Sequence, residues 1–142
     1  MLEVSIIGAV GERMDKERFV EYFRQSGGDG VALDADAVYG MDHLKSALMH
    51  AERSLRRGDN VSKRLLMETL LYASGERQLS VAISKIGLRD GPGSAVLLIQ
   101  GLDPDKVIED LELRRDDTVI SSNDGETKEA LERVALVDII KR

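Results

Sequence analysis

Two histidines are the first residues in this sequence whose type and spacing suggest chemistry. His43 and His50 lie seven residues apart, so they fall two turns from each other on the same side of a helix. A metal ion held there would need a carboxylate between them, but Ala47 occupies that position. Cysteine is absent, which excludes thiol nucleophiles, disulfides and thiolate metal ligands. We therefore expect no metal ion and no cofactor.

Acidic pairs are the next candidates for chemistry. Asp34 and Asp36 would point to the same side of a strand, as paired catalytic carboxylates sometimes must, and Asp116 and Asp117 form another pair. A solvated strand face explains the first pair equally well. The sequence contains none of the motifs GxxxxGK, GxSxG or HExxH. We expect a protein that is not an enzyme.

A glycine-rich segment, Gly87–Gly93, imitates a phosphate-binding loop in composition. Phosphate loops run from a strand into the N-terminus of a helix, whereas this segment runs from a predicted helix into a predicted strand. We interpret it as a turn. The alternative function is a small-molecule-binding or enzymatic α/β domain that uses Asp34, Asp36 or this segment.

Basic residues are concentrated in one short stretch of a chain that is acidic as a whole. Between residues 53 and 64 there are five positive residues and one negative residue, a local charge of +4 in a chain of net charge −6. Cations are favourable at a helix C-terminus, but Lys63 and Arg64 fall in the predicted first turn of the next helix, where cations are disfavoured. Either an anionic partner meets this stretch or it is solvated surface. The positive residues are Arg53, Arg56, Arg57, Lys63 and Arg64.

The N-terminal elements that would position these residues alternate between strand and helix. The apolar stretch Leu2–Ile7 predicts a strand, and Asp15 begins a helix that ends at Gly27. A second strand is predicted over Val31–Val38. Helical spacing of apolar residues from Leu44 to Leu55 then predicts a helix that ends at Gly58.

The next predicted helix, Ser62–Ser74, ends at Gly75 and is apolar around most of its circumference. Such a helix is central in the fold or shared with a partner. Within it, Glu68 is expected to cap or to pair with Arg64, one turn earlier. Tyr72 is interpreted as a core residue, with base stacking as the alternative.

The remaining predicted elements complete a mixed α/β fold class. They form one domain over residues 1–142, with helices packed on a small mixed or antiparallel sheet of three to five strands. The final apolar residues, Val134–Ile140, are compatible with a helix or a strand. The elements are a helix over Leu79–Ile86, a buried strand Ala95–Ile99, a short helix Asp103–Leu111, a strand Thr118–Ile120 and a helix from Thr127.

Membrane and export signals are missing from the pattern. No run of roughly 18 uncharged apolar residues occurs, and the acidic Glu3 argues against a secretory signal. We expect a soluble, cytoplasmic protein that has no membrane partner.

The stretch Asn60–Leu88, together with the ending LERVALVDI, resembles the kinase-binding subunit of the KEOPS tRNA-modification complex, which is called the PRPK-binding protein in animals. The likeness extends over essentially the whole chain. The residues that carry it are Asn60, Glu68, Leu70, Leu71, Tyr72, Ser74, Gly75, Arg77, Gln78, Ala82, Ile83 and Gly87.

This resemblance implies a non-catalytic accessory subunit that supports formation of threonylcarbamoyladenosine in tRNA. Its expected partners are the small kinase/ATPase subunit of the complex and the single-stranded 3′ CCA end of tRNA. Residues able to supply phosphate contacts and base hydrogen bonds are Asn60, Lys63, Arg64, Arg77, Gln78 and Lys85. Apolar candidates for the kinase contact are Leu65, Leu66, Met67, Val134, Leu136, Ile139 and Ile140. A homodimer that uses the apolar C-terminal segment is the third possibility.

Overall fold

The computed structural model describes residues 3–120 and 124–141, and this part contains helices and an antiparallel sheet. The predicted mixed α/β class is confirmed. The strands are β1 (Val4–Met14), β2 (Asp29–Asp34), β3 (Gly91–Gln100) and β4 (Arg114–Arg115). The helices are α1 (Lys16–Gln25), α2 (Met41–Arg57), α3 (Leu65–Ser74), α4 (Leu79–Ile86), α5 (Pro104–Asp110) and α6 (Asp124–Lys141).

Internal contacts divide the chain into two units. The sheet unit comprises Met1–Asp36 and Leu88–Ile120, and it holds all four strands with α1 and α5. The helical unit comprises Ala37–Gly87 and Ser121–Arg142, and it holds α2, α3, α4 and α6. The single domain expected over residues 1–142 stays a prediction.

The strands of the sheet unit lie in the order β2-β3-β1-β4, and each strand is antiparallel to its neighbours. β3 lies inside this sheet, between β2 and β1. Residues Ala95–Ile99 are buried, as the uninterrupted apolar run predicts. Ile7, Phe19 and Phe23 join alternate β3 residues in one core cluster. Asp15 caps α1 as expected, because its carboxylate accepts hydrogen bonds from two backbone amides in the first turn.

Two predicted strand boundaries and one predicted strand in this unit are wrong, and hydrogen bonds explain each correction. β1 runs to Met14, beyond the predicted Leu2–Ile7, because β3 pairs with it residue by residue as far as Gly11. β2 ends at Asp34, where the carboxylate accepts the Asp36 amide and starts a 3-10 turn. Thr118–Ile120 is no strand, because Asp116 accepts the Thr118 amide and caps a 3-10 turn there.

In the helical unit, α2 and α3 run antiparallel to each other. Ser54 near the end of α2 bonds Glu68 near the start of α3, whereas His43 at the start of α2 bonds Ala73 at the end of α3. Glycines in the left-handed region, Gly58 at φ +80° and Gly75 at φ +74°, end these two helices as predicted. Nine of the ten α3 residues are buried, so α3 is the central helix of this unit.

The undecided C-terminal segment is helical, because it belongs to α6, which packs on α2 and α3. Helix α4 precedes β3 in the chain, and fewer of its apolar residues are buried than the sequence pattern predicts. Ala82 and Ile86 are buried, but Ile83 is 39% exposed. Within the described residues, no helix is both long and apolar enough to cross a membrane.

Candidate functional site

A buried carboxylate organises the stretch Gly58–Arg64, which connects α2 to α3 and is called here the basic loop. Glu68 is fully buried, and one of its oxygens accepts the Val61 and Ser62 amides, each at 3.0 Å. The Ser54 hydroxyl lies 2.8 Å from the other oxygen. A buried carboxylate is tolerated when its oxygens are hydrogen-bonded in this way. Glu68 therefore fixes the backbone of the basic loop just before Lys63 and Arg64, which agrees with the predicted capping role.

The cations at this end of α2 and α3 differ in their surroundings. Arg53, Arg56 and Lys63 are exposed, and their side chains have no hydrogen bond or ion pair with another described residue. Arg57 instead bonds Asp59 at 3.1 Å and Asp138 at 2.8 Å, and these contacts raise its pKa. Arg57 thus has a structural role, whereas Arg53, Arg56 and Lys63 present uncompensated charge to solvent.

The six residues predicted to bind tRNA divide between the two ends of α3. Lys63, Arg64 and Asn60 precede its first turn, whereas Arg77 and Gln78 follow its last turn. Ten residues at 1.5 Å each separate these groups by about 15 Å along the helix axis. The structure therefore brings the six together in one unit, but in two groups.

The side chains of Asn60 and Lys85 have named partners within the chain. The Asn60 amide donates to the Ser62 carbonyl at 2.9 Å, and Lys85 pairs with Glu76 at 3.3 Å. Lys63, Arg64, Arg77 and Gln78 are exposed. Lys63 and Arg77 are the stronger candidates for contact with an anion, because these exposed cations have no hydrogen bond or ion pair with another described side chain.

The predicted kinase-binding residues also divide, in this case by burial. Leu65, Leu66 and Val134 are buried among the helices of their own unit, so they hold the unit together, and Met67 is half-buried. Leu136 is 48% exposed and Ile139 is 66% exposed. These two lie three residues apart on one side of α6. The side chain of Ile140 lies outside the described residues.

A polar cluster around Asp138 lies beside this exposed pair. The Tyr72 hydroxyl and the Arg57 guanidinium donate to one carboxylate oxygen, and His50 Nδ1 lies 2.6 Å from the other. Burial by itself would raise the pKa of Asp138, but these hydrogen bonds outweigh it and lower the pKa. The cluster joins the last turns of α6 to α2 and α3. Tyr72 is fully buried here, which confirms it as a core residue.

Comparison with known proteins supplies a family for this arrangement. Residues 13–141 match the family described as kinase binding protein CGI-121. The chain belongs to this CGI-121 family. A search of curated proteins found no match. The basic loop, the Asp138 cluster and the exposed α6 pair all lie within the matched residues.

The histidines of this CGI-121 family member serve its packing. His43 is buried, its Nδ1 accepts the Tyr39 amide at 3.2 Å, and its Nε2 lies 2.8 Å from the Ala73 carbonyl. This geometry requires the neutral tautomer that carries hydrogen on Nε2. Burial lowers the pKa of His43, as does the positive charge of Arg133, while the Ala73 carbonyl raises it. Among the described residues, no group of three or more His, Asp or Glu side chains is arranged to hold a metal ion.

The acidic pairs noted in the sequence, of which Asp34 and Asp36 belong to the enzymatic alternative, have ordinary structural contacts. Asp34 accepts the Asp36 amide and pairs with Arg89 at 3.6 Å. Asp117 accepts the Gly8 amide at 3.0 Å and bonds Arg115, which lowers its pKa. In the glycine-rich segment, Gly91–Gly93 belongs to β3.

Sequence reasoning did not identify Asp138. The available signal was an isolated acid between Val137 and Ile139, inside an otherwise apolar C-terminal segment. An acid at such a position is expected to have buried partners.

Proposed function

We propose that this chain is a non-catalytic subunit of the KEOPS complex, which binds the kinase/ATPase subunit and the 3′ CCA end of tRNA. In this role it supports the threonylcarbamoyladenosine modification without performing the chemistry. The observation that carries the proposal is membership of the CGI-121 kinase-binding family over residues 13–141. The resemblance of Asn60–Leu88 to the KEOPS subunit supports the more specific assignment.

The proposed kinase contact is the exposed side of α6. Leu136 and Ile139 expose large apolar side chains there, and apolar groups of this kind form the centre of protein interfaces. Asp138 holds α6 in position, because its hydrogen bonds fix this helix to α2 and α3. Leu65, Leu66 and Val134 act indirectly by holding the helices together, and Met67 is half-buried.

The proposed tRNA contact is the basic loop with the adjoining end of α2. Lys63 and Arg64 supply phosphate contacts, and Arg53 and Arg56 add charge from the last turns of α2. Single-stranded nucleic acid is held by such cations together with hydrogen bonds to its bases. Arg77, Gln78 and Lys85 form a second, separately testable group beyond the other end of α3.

The kinase partner is tested by mixing the purified chain with the KEOPS kinase subunit and measuring complex formation by calorimetry. A complex at micromolar concentration is expected. A double variant Leu136→Glu and Ile139→Glu should weaken it strongly, because each substitution places a charge in an apolar contact. The matched control is Val20→Glu, which changes an equally exposed apolar residue on α1. Absence of a complex with the unmodified chain would remove the proposed kinase role.

The tRNA partner is tested by measuring affinity at fixed salt for tRNA with and without its CCA end. The double variant Lys63→Glu and Arg64→Glu should bind about tenfold or more weakly, because phosphate contacts are lost. Its matched control is Lys45→Glu with Lys128→Glu, which reverses two exposed cations elsewhere in the helical unit. Equal loss in both doubles would indicate that net charge, rather than the basic loop, determines affinity.

The exposed pair on α6 also supports a homodimer as a second candidate. Two copies that join through Leu136 and Ile139 would bury the same apolar surface. Light scattering on the isolated chain distinguishes the cases, because a kinase-binding surface predicts a monomer when no kinase is present.

A further inference from the structure

A groove in the sheet unit has the lining expected of an anion-binding site. Its volume is about 570 Å³, within the usual range for small-ligand sites. Arg13, Arg18 and Arg114 all line it, and it is called here the arginine groove. All residues that line the groove belong to the sheet unit, so the groove shares no residue with the surfaces of the helical unit proposed above to bind tRNA and kinase.

The three arginines of the groove are distinguished from the other arginines of their unit. Their guanidinium groups have no hydrogen bond or ion pair with another described residue, although Arg114 is close enough to Asp116 to lower its pKa. The others all have carboxylate partners: Arg24 with Glu21, Arg89 with Asp34, and Arg115 with Asp105 and Asp117. Uncompensated guanidinium groups are therefore confined to the groove among the described residues of this unit.

Folding stability does not explain Arg18. It is the third residue of α1, whose positive helix end disfavours a cation, and it is half-buried without an acidic partner. An arginine that lowers folding stability at its own position is explained by a role in binding a negatively charged ligand. Guanidinium groups bind phosphate with paired, charge-assisted hydrogen bonds.

The backbone of the groove is shaped for close approach. Gly11 of β1 and Gly93 of β3 face each other in the sheet. The Leu113 side chain fills the space beside Gly11, whereas the space beside Gly93 is open, so bare backbone is accessible at Gly93. Beyond them the register shifts by one residue before Met14 pairs with Gly91. Such a bulge redirects side chains, and here it lies at Arg13.

Two carboxylates complete the lining. Glu12 and Glu112 border the same groove, and neither forms an ion pair with the arginines. Unpaired carboxylates beside guanidinium groups suit a ligand that carries both phosphate and hydroxyl groups, because carboxylates accept hydrogen bonds from hydroxyls. A nucleotide has this combination of groups.

We propose that the arginine groove binds the phosphate and ribose of a nucleotide unit, with Arg13, Arg18 and Arg114 on the phosphate. The nucleotide is either free or part of an RNA strand. This site does not depend on the kinase- and CCA-binding roles proposed above, and those roles can fail without affecting it.

The test is an NMR titration of the full chain at low salt with three probes: inorganic pyrophosphate, a nucleoside diphosphate and a single-stranded RNA hexamer. Saturable shifts of the Gly11 and Gly93 amide signals are expected, with affinity that falls as salt rises. Tighter binding of the diphosphate than of the hexamer identifies a free nucleotide as the ligand, and the reverse identifies RNA. Absence of saturable shifts at these amides with all three probes would overturn the proposal.

Charge-matched variants exclude a general electrostatic effect. The triple variant Arg13→Gln, Arg18→Gln and Arg114→Gln should bind about tenfold more weakly. The control Arg24→Gln, Arg89→Gln and Lys106→Gln removes three ion-paired cations of the same unit and should bind within about twofold of the unmodified chain. Equal weakening in both triples would refute a specific site. If the triple variant of the groove arginines does not fold, the single variant Arg18→Gln replaces it in the test. Its binding should be about threefold weaker than that of the unmodified chain.

Discussion

The two units place their charged side chains by different physical means. In the helical unit, the buried carboxylate of Glu68 and the half-buried carboxylate of Asp138 accept several hydrogen bonds each and hold surface segments in position. In the sheet unit, no described charged side chain is fully buried, and backbone pairing positions some of them, as the β1 bulge does at Arg13. Carboxylate substitutions should therefore be costly in the helical unit, and charge removal in the sheet unit should cost little stability.

The largest effect is expected for Glu68→Ala. The substitution leaves the Val61 and Ser62 amides without their acceptor and opens a cavity beside Ser54, which should lower the free energy of unfolding by about 3 kcal/mol. Urea denaturation measures this loss. A loss below about 1 kcal/mol would show that the basic loop does not depend on this carboxylate.

A smaller loss is expected for Asp138→Asn. The amide cannot accept from Tyr72, His50 and Arg57 at once, so the free energy of unfolding should fall by about 2 kcal/mol. Because the native pKa of Asp138 is lowered, its ionised form stabilises the fold above the unfolded pKa of about 3.8. This stabilisation is lost as pH falls through the native value. The variant should therefore lose less stability on acidification than the unmodified chain, and an equal loss in both would contradict the cluster.

A pH effect is expected from His43, a buried histidine of the helical unit. Its native pKa lies below the ordinary 6.5, so the unfolded chain binds a proton more readily once pH falls below that value. The contribution of neutral His43 to folding stability is fully present above pH 6.5, and it declines as the pH falls toward the native pKa. His43→Gln removes this proton uptake, and its free energy of unfolding should change less between pH 7 and pH 5. Identical slopes for the two proteins would exclude the neutral tautomer assigned here.

The smallest effect is expected for Arg24→Ala in the sheet unit. Arg24 forms an exposed ion pair with Glu21 at 3.2 Å, and such pairs contribute less than about 1 kcal/mol. A thermal melt should detect almost no change. A loss as large as that of Asp138→Asn would abolish the distinction between the units.

Individual residues show how far local patterns reach. The ends of α2 and α3 at Gly58 and Gly75 were predictable, because a left-handed glycine after an apolar stripe is a local signal. The strand predicted at Thr118–Ile120 was wrong, because the Asp116 carboxylate formed a cap there instead. The same turn is also held by a residue distant in sequence, because Asp117 accepts the Gly8 amide.

The surface residues also show which properties a local sequence pattern can predict and which it cannot. Composition alone identified the cluster of cations over residues 53–64. It did not separate Arg57, which bonds Asp138 eighty-one positions away, from the uncompensated Arg53 and Arg56. It likewise could not separate buried Val134 from exposed Ile139, because both lie in one apolar segment.

The sequence by itself determined the mixed α/β class, the central helix and the resemblance to a kinase-binding family, because these depend on periodicity, glycine positions and a contiguous motif. Only the tertiary structure decided which cations lack partners, which apolar side chains face solvent and which strands assemble the arginine groove. Those properties depend on distances between residues far apart in the chain, and local sequence does not encode such distances.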